Sequence, residues 1–216
     1  MPQYYPICLS LERKPCLVVG GGEVALRKAL SLLAAGADVT VVSPRFCEEL
    51  RNLSGIRRIE RPFRESDAAG ALLVYAATDD PAVNTAVAAA AREHGALVNV
   101  VDTPAECDFI VPSSLTRGRL TISVATAGAA PALAQRLRRE LEELFPQDYA
   151  AFVEVLGDLR ARVSREVPDP KRRKAILHRL ASREAWELFA RDGPDAIRQL
   201  AARLIEPDAP PNGGSA

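Results

Sequence analysis

The sequence is poor in several features, and each scarcity excludes a class of protein. No uncharged apolar run reaches the roughly 18 residues that a membrane-spanning helix needs. The opening letters MPQYYPICLSLERK hold no basic stretch followed by a long apolar one, which predicts no secretory signal peptide. The 28 Lys and Arg residues balance 28 Asp and Glu residues, so no net charge favours nucleic acid or an acidic membrane. We therefore expect a soluble, cytoplasmic protein.

Cysteine and histidine are also rare, with four and two residues. The cysteines form no C-x-x-C pair and lie in or beside apolar runs, as reduced thiols in a cytosolic core do. His94 ends a predicted helix and His178 lies among basic residues, so both are expected at the surface. No His or Cys cluster has the spacing of metal ligands, and we predict no resident metal.

Strand and helix patterns alternate through the first half of the chain. Such alternation is typical of βαβ units, and near-continuous apolar strands fit a sheet that is covered on both faces. The predicted fold class is therefore α/β, a Rossmann-like doubly wound parallel sheet. Strands are predicted at 16–19, 39–42, 71–77 and 97–101, a weaker edge strand at 57–63, and helices at 24–35 and 81–94.

The pattern changes after Asp108. Strands are predicted at Phe109–Val111 and at 120–125, a helix at 131–145, and only helices from 148 to 204. The composition of the last ten residues predicts a disordered tail. We predict four regions, namely a sheet domain at residues 1–111, a connecting segment at 112–147, a helical domain at 148–206 and the tail at 207–216.

Gly20-x-Gly22-x-x-Ala25 follows the first strand and opens the first helix. In a dinucleotide site the first glycine permits the turn, the second lets the backbone approach the pyrophosphate, and the helix N-terminus faces the phosphates. A merely structural corner is the alternative. The second strand ends in Ser43-Pro44-Arg45, where an NAD site usually has an acid. Charge alone therefore does not separate NAD from NADP, and Arg45 suits a 2′-phosphate.

Polar residues follow two further strands of the predicted sheet. Thr78 follows the fourth strand, while Asn99 and Asp102 belong to the fifth strand and its end. Ligands of doubly wound sheets bind at this carboxyl edge. Asp102 suits a general base or a metal ligand. A loop cap is the alternative, since Thr103-Pro104 follows, and the sequence pattern leaves both open.

Arginine is concentrated between residues 109 and 139, which hold five arginines and no acid. Arginine suits bidentate binding of carboxylates or phosphates. Arg138 and Arg139 precede several glutamates and are explained by a solvated helix face. Arg117 and Arg119 lie on a predicted turn and are candidate substrate-binding residues, as is Asn99.

Five segments occur in order from about Pro6 to Arg139: PICLSLERKPCLVVGGGEVALRKA, AATDD with Asn84, LVNVVD, FIVPSSLTRGRLTISVAT and GAAPALAQRLR. Together they resemble the precorrin-2 dehydrogenase and sirohydrochlorin ferrochelatase family, which includes the N-terminal half of the multifunctional sirohaem synthases. The helical remainder resembles the family's C-terminal helical domain more loosely.

The resemblance implies NAD-dependent oxidation of precorrin-2 to sirohydrochlorin, and in some members insertion of a ferrous or cobaltous ion. It implies a homodimer built through the segment 112–147, and an essential aspartate at Asp102. The arginine-rich segment agrees with a substrate that carries eight carboxylates. The implied dinucleotide contacts are Gly22, Glu23, Val24, Ser43, Pro44, Arg45 and Thr78, which join Gly20 of the turn.

The chain departs from the family in two places, and each departure removes an expectation that the resemblance would otherwise imply. Many relatives have S-[ST]-G-G where this chain has Ala125-Thr126-Ala127-Gly128, and Thr126 matches a serine that is phosphorylated in some of them. That regulation is not carried over. The methyltransferase domain of the fused enzymes is missing, so we expect precorrin-2 to arrive ready-made. A dinucleotide-sensing regulatory module without catalysis is the alternative function.

Overall fold

Five parallel strands form the central sheet, in the order β3-β2-β1-β4-β5. The computed structural model describes residues 4–206, so the predicted tail lies outside the described residues. The strands are β1 Pro15–Val19, β2 Asp38–Ser43, β3 Ile56–Glu60, β4 Leu73–Ala76 and β5 Leu97–Val100. The helices between them are α1 Glu23–Ala34, α2 Glu48–Asn52 and α3 Pro81–Glu93, with short 3-10 turns at Glu65–Ala68 and Pro104–Glu106.

The sheet is doubly wound, as the sequence predicts. β1 pairs in parallel with both β2 and β4, so that Val19 lies between Val42 and Ala76 at the carboxyl edge. The chain therefore reverses its direction of winding beside β1. This reversal opens the crevice in which doubly wound sheets bind ligands.

Helices cover both faces of the sheet. On one face, small residues of α3 such as Ala88 and Ala91 pack closely against β4 and β5. On the other face, Ala25 and Ala29 of α1 and Leu50 of α2 pack against β1 and β2. All five of these side chains are almost fully buried, and this burial stabilises the sheet because apolar surface leaves water.

The second half of the chain forms a compact unit of its own, made of Pro112–Thr126 and the residues from Ala130 on. The other unit holds the residues up to Val111 together with Ala127–Ala129. The predicted boundary between 147 and 148 lies inside the second unit and stays a prediction. The elements here are β6 Ser113–Arg117, β7 Leu120–Val124, α4 Pro131–Leu144, α5 Tyr149–Glu166, α6 Pro170–Leu180, α7 Arg183–Asp192 and α8 Pro194–Ile205.

β6 and β7 form an antiparallel two-stranded sheet that packs against α4. The helices α5 to α8 enclose a separate apolar cluster around Phe152 and Ile197. Trp186 stacks on Tyr149 there, with ring centroids 3.8 Å apart. Within residues 4–206, no helix has the length and apolar character needed to cross a membrane.

The strand predicted at Phe109–Val111 is wrong. Phe109 packs edge-on against Tyr75, and its carbonyl accepts a hydrogen bond from the side chain of Asn99. These side-chain contacts hold the segment in place without pairing it to a neighbouring strand. The strand that pairs with β7 begins only at Ser113. Ser113–Arg117 has a single buried residue, Leu115, so its sequence gives little strand signal.

Candidate active site

A crevice of about 730 Å³ lies at the carboxyl edge of the five-stranded sheet. It is lined by the segments that follow β1, β2, β3, β4 and β5, because parallel strands all end at the same edge. Eight of the sequence-predicted residues line it, namely Gly20, Gly22, Glu23, Val24, Ser43, Pro44, Arg45 and Thr78, and so does Asp102. The topology thus brings together residues that are up to 82 positions apart in the sequence, from Gly20 to Asp102.

The three consecutive glycines of the turn differ in their surroundings. Gly20 has a φ of +138°, and a Cβ there would lie 2.1 Å from the carbonyl oxygen of Ala77. At Gly21 a Cβ would lie 1.8 Å from the carbonyl oxygen of Arg45. At Gly22, by contrast, a Cβ would meet no protein atom within 4 Å. The first two glycines therefore allow the chain to fold, while the third leaves open space.

That open space lies at the N-terminus of α1. Gly22 is the N-cap residue and no side chain caps the helix, so the first backbone N–H groups of α1 have no side-chain partner there. Uncapped N–H groups and the positive end of the helix dipole suit a phosphate group. Glu23 and Val24 in the first turn line the same part of the crevice.

The turn after β2 is held by its own serine. The Ser43 hydroxyl donates to the carbonyl oxygen of Arg45 at 2.6 Å, and the Arg45 N–H lies 3.4 Å from the same hydroxyl. The side chain of Arg45 is exposed, as is Pro44. The carboxylate that selects the ribose 2′-hydroxyl in many NAD sites is thus replaced at this position by an exposed cation.

A buried asparagine shapes the loop after β4. The Thr78 hydroxyl donates to Oδ1 of Asn84 at 2.7 Å, and Nδ2 of Asn84 donates to the Thr78 carbonyl oxygen at 2.9 Å. Asp80 caps α3 by accepting from the backbone N–H of Ala82 at 2.8 Å. Thr78 is therefore fixed at the rim of the crevice before any ligand arrives.

Asp102 ends the crevice beyond β5. It is exposed, and its φ of +59° places it in the left-handed region. Among the described residues its carboxylate has neither an ion-pair partner nor a hydrogen bond to the loop, and the following 3-10 turn has no side-chain cap. The loop-cap alternative therefore lacks a supporting hydrogen bond. The loop is held instead by Cys107, whose Sγ lies 3.2 Å from the Val100 N–H and 3.4 Å from the Thr103 carbonyl oxygen.

Comparison with known proteins agrees with this arrangement. Residues 7–113 match a family described as NAD(P)-binding, and residues 117–144 match the central part of sirohaem biosynthesis proteins. The chain is 45% identical over 188 residues to a siroheme synthase of Methylococcus capsulatus, covering 86% of this chain and 40% of that protein. It is 38% identical over 206 residues to a siroheme synthase of Thioalkalivibrio sulfidiphilus, covering 94% of this chain and 42% of that protein.

A solved structure, "SirC, precorrin-2 dehydrogenase", matches with a TM-score of 0.77 and 25% identity, over 93% of this chain and all of that chain. This chain belongs to the siroheme synthase and precorrin-2 dehydrogenase family. It spans less than half the length of the siroheme synthases that it matches.

The other residues predicted to contact substrate do not line the crevice. Asn99 is buried, and its Nδ2 donates to the Phe109 carbonyl oxygen at 2.9 Å. In the second unit, Nε of Arg117 donates to the Phe145 carbonyl oxygen at 2.9 Å. Nε of Arg119 lies 3.0 Å from a carboxylate oxygen of Glu154, and its side chain is 74% exposed. Arg117 is thus engaged within its unit, whereas Arg119 faces solvent.

The small-residue turn of the family lies before α4. The Thr126 hydroxyl oxygen accepts a hydrogen bond from the Ala130 N–H at 3.2 Å, where α4 begins. Two of the arginines on α4 form ion pairs one turn apart, Arg136 with Glu140 and Arg138 with Glu142. Arg136 and Arg139 are exposed, as a solvated helix face predicts, whereas Arg138 is partly buried, with 27% of its side chain exposed.

Sequence reasoning missed two parts of the crevice. Gly21 was not distinguished from its neighbours, because its close approach to Arg45 is visible only in three dimensions. Pro62 and Phe63 form a wall of the crevice after the edge strand β3. The segment is held by Arg61, whose guanidinium forms a paired contact with Asp67 at 2.6 and 2.7 Å. This hydrogen bonding lowers the pKa of Asp67, so the ion pair persists at neutral pH.

Proposed function

We propose that this chain oxidises precorrin-2 to sirohydrochlorin, with NAD⁺ as the hydride acceptor. The observation that carries the proposal is the crevice itself, where open space beside Gly22 and a carboxylate at Asp102, unpaired among the described residues, lie along one edge of the sheet. The reaction converts precorrin-2 and NAD⁺ into sirohydrochlorin, NADH and a proton. The family membership supports this reaction.

The residues around the glycine turn fit a dinucleotide. The absence of protein atoms within 4 Å of a Cβ at Gly22 lets a pyrophosphate approach the backbone, and the uncapped turn of α1 supplies N–H donors. Ser43, Pro44 and Arg45 line the part of the crevice that would hold the ribose of the dinucleotide, and Thr78 lines the part beyond β4. We propose NAD rather than NADP because of the family resemblance, although the exposed Arg45 would accept a 2′-phosphate.

Asp102 is the proposed base. Its carboxylate is exposed and unpaired among the described residues, so it is free to accept a proton from the macrocycle as the hydride leaves. If the chain also inserts a ferrous or cobaltous ion as a substrate, the same carboxylate would take the pyrrole protons. Residues 4–206 hold no group of three or more His, Cys, Asp or Glu side chains that could bind a metal ion.

The three protein side chains predicted to bind substrate differ in how strongly they are already engaged within the protein. Among residues 4–206, the ion-pair partner of Arg119 is an exposed glutamate, Glu154, so a substrate carboxylate can compete for Arg119 at little energetic expense. Arg117 and Asn99 already donate to backbone carbonyl oxygens. We therefore propose Arg119 as the substrate-binding arginine of this pair, and a homodimer built through the segment 112–147.

The experiment is spectroscopic. Purified protein is mixed with precorrin-2 and NAD⁺, and the absorbance of NADH and of sirohydrochlorin is followed together. We expect both to rise in equal amounts, and more slowly with NADP⁺. If neither product forms under conditions in which SirC is active, the proposed function is wrong, and dinucleotide binding without turnover would favour the sensing module instead.

A further inference from the structure

Lys28 on α1 is a cation without a carboxylate partner. Its side chain is only partly exposed, and it forms no salt bridge within residues 4–206. Its Nζ lies 5.2 Å from the ring centroid of Tyr75. Burial lowers the pKa of Lys28, the neighbouring Arg27 lowers it further, and Cys107 and Asp102 act in the opposite direction. Among residues 4–206, the group that holds this cation is thus the ring of Tyr75 on β4.

Tyr75 is a fixed platform beneath this cation. Its side chain is 5% exposed, and Phe109 packs edge-on against the ring with centroids 5.5 Å apart. Burial raises the pKa of Tyr75 to about 12, so its hydroxyl stays protonated and does not pair with Lys28 as an anion. The ring therefore holds the ammonium by a cation–π contact, which is weaker than an ion pair with a carboxylate.

Tyr75 lies on the face of the sheet opposite to the one that α3 covers. α3 packs on the side of Val98 and Val100 of β5, whereas Asn99 of β5 lies opposite Tyr75 in the ladder on the other side. Leu97 on that side remains 39% exposed. Lys28 thus lies against Tyr75, whose ladder partner Asn99 precedes Asp102 by three residues.

An ammonium that has lost part of its hydration without gaining a carboxylate is unfavourable for folding, and such groups concentrate at functional sites. A tetrapyrrole with eight carboxylates supplies the missing partner. We propose that Lys28 is a substrate-binding residue, which holds one carboxylate of the tetrapyrrole while Asp102 faces the macrocycle. This assignment rests on the proposed function and adds a contact on the first unit to the one proposed for Arg119.

The test compares Lys28→Met, which keeps the unbranched stem and removes the charge, with Lys28→Arg, which restores a cation. We expect Lys28→Met to raise the KM for precorrin-2 roughly tenfold to hundredfold, with the affinity for NADH changed less than about twofold. Lys28→Arg recovers most of the loss. The matched control is Lys14→Met, because Lys14 is exposed at the opposite edge of the same sheet, and its KM should equal that of the wild type.

The melting temperature of Lys28→Met distinguishes a substrate-binding role of Lys28 from a structural one. Removing a partly buried charge should leave the melting temperature of Lys28→Met unchanged or raise it, since the desolvated ammonium opposes folding. If the variant melts at a lower temperature and keeps a wild-type KM, the cation–π contact is structural and the proposal is overturned.

A second measurement does not depend on turnover. Uroporphyrin, a stable tetrapyrrole with eight carboxylates, is titrated without dinucleotide and its fluorescence is followed. Weaker binding by Lys28→Met than by wild type and Lys14→Met supports the proposal, and equal binding or no binding by wild type overturns it. If wild-type protein binds uroporphyrin but does not oxidise precorrin-2, the proposed function fails and this titration still decides the role of Lys28.

Discussion

Asp102 combines a left-handed backbone with a carboxylate that has no partner among the described residues. Its backbone is left-handed at a φ of +59°, which costs most non-glycine residues about 1–2 kcal/mol, although Asp and Asn tolerate it best. Its carboxylate has no partner among residues 4–206 that would offset this cost. Unfavourable backbone conformations of this kind cluster at functional sites.

We predict that Asp102→Asn stays folded and loses most of its turnover. Asparagine tolerates the left-handed backbone as well as aspartate does, so the melting temperature should change little. The amide cannot accept the proton, and kcat should fall by about 10²–10⁴. Any chelation of ferrous or cobaltous ions should fall in parallel, while NADH binding should stay normal. Kinetics and thermal melting on the same preparation measure both effects.

Two further variants sharpen this prediction. Asp102→Ala removes the carboxylate and also places alanine in the left-handed region, so it should melt at a lower temperature than Asp102→Asn. Asp38→Asn changes an exposed carboxylate at the opposite edge of the sheet and should keep wild-type turnover. A wild-type kcat in a destabilised Asp102→Asn would show that the residue is only a cap.

In the turn between β1 and α1, one glycine is expected to matter for binding and its neighbour for folding. We predict that Gly22→Val folds normally and loses dinucleotide affinity roughly tenfold or more, because the added methyl groups occupy the space of the pyrophosphate. Its φ of −93° and ψ of −170° suit a β-branched residue. Fluorescence titration with NADH and thermal melting measure the two properties.

Gly21→Ala is the matched comparison in the same turn. Its Cβ would collide with the Arg45 carbonyl oxygen at 1.8 Å, so the turn must shift and the melting temperature should fall by several degrees. Unchanged NADH affinity in a folded Gly22→Val would mean that the dinucleotide does not approach this glycine.

The strands show which part of the structure could be predicted from the sequence. β1, β4 and β5 are nearly continuous apolar runs and β2 is rich in valine, and a parallel sheet buries such segments on both faces. β6 lacks that signal, because Ser113, Ser114 and Thr116 alternate around one buried leucine. The partner of Arg117, the carbonyl oxygen of Phe145, lies 28 residues away. Contacts of that separation depend on tertiary packing, which local sequence patterns do not encode.

At the scale of the whole molecule, α4 and the hairpin β6–β7 leave apolar surface uncovered. Leu133 is 40% exposed and Leu144 is 67% exposed, although both belong to an amphipathic helix whose other side packs on the hairpin. An isolated two-stranded sheet is marginal in water. A second copy of the chain would cover these leucines and help to stabilise the two-stranded sheet.

We predict a homodimer that dissociates when both leucines become glutamates, Leu133→Glu with Leu144→Glu. The charges would have to be buried without a partner in the interface, which is strongly unfavourable, whereas in a single chain they lie at the surface and the fold should persist. Sedimentation should show twice the 23.3 kDa chain mass for wild type and the single mass for the variant. Leu30→Glu changes a leucine that is 45% exposed on α1, outside the predicted dimerisation segment, and should remain dimeric. Wild-type protein that sediments as a single chain at micromolar concentration would contradict the prediction, and dissociation by Leu30→Glu alone would move the interface to the first unit.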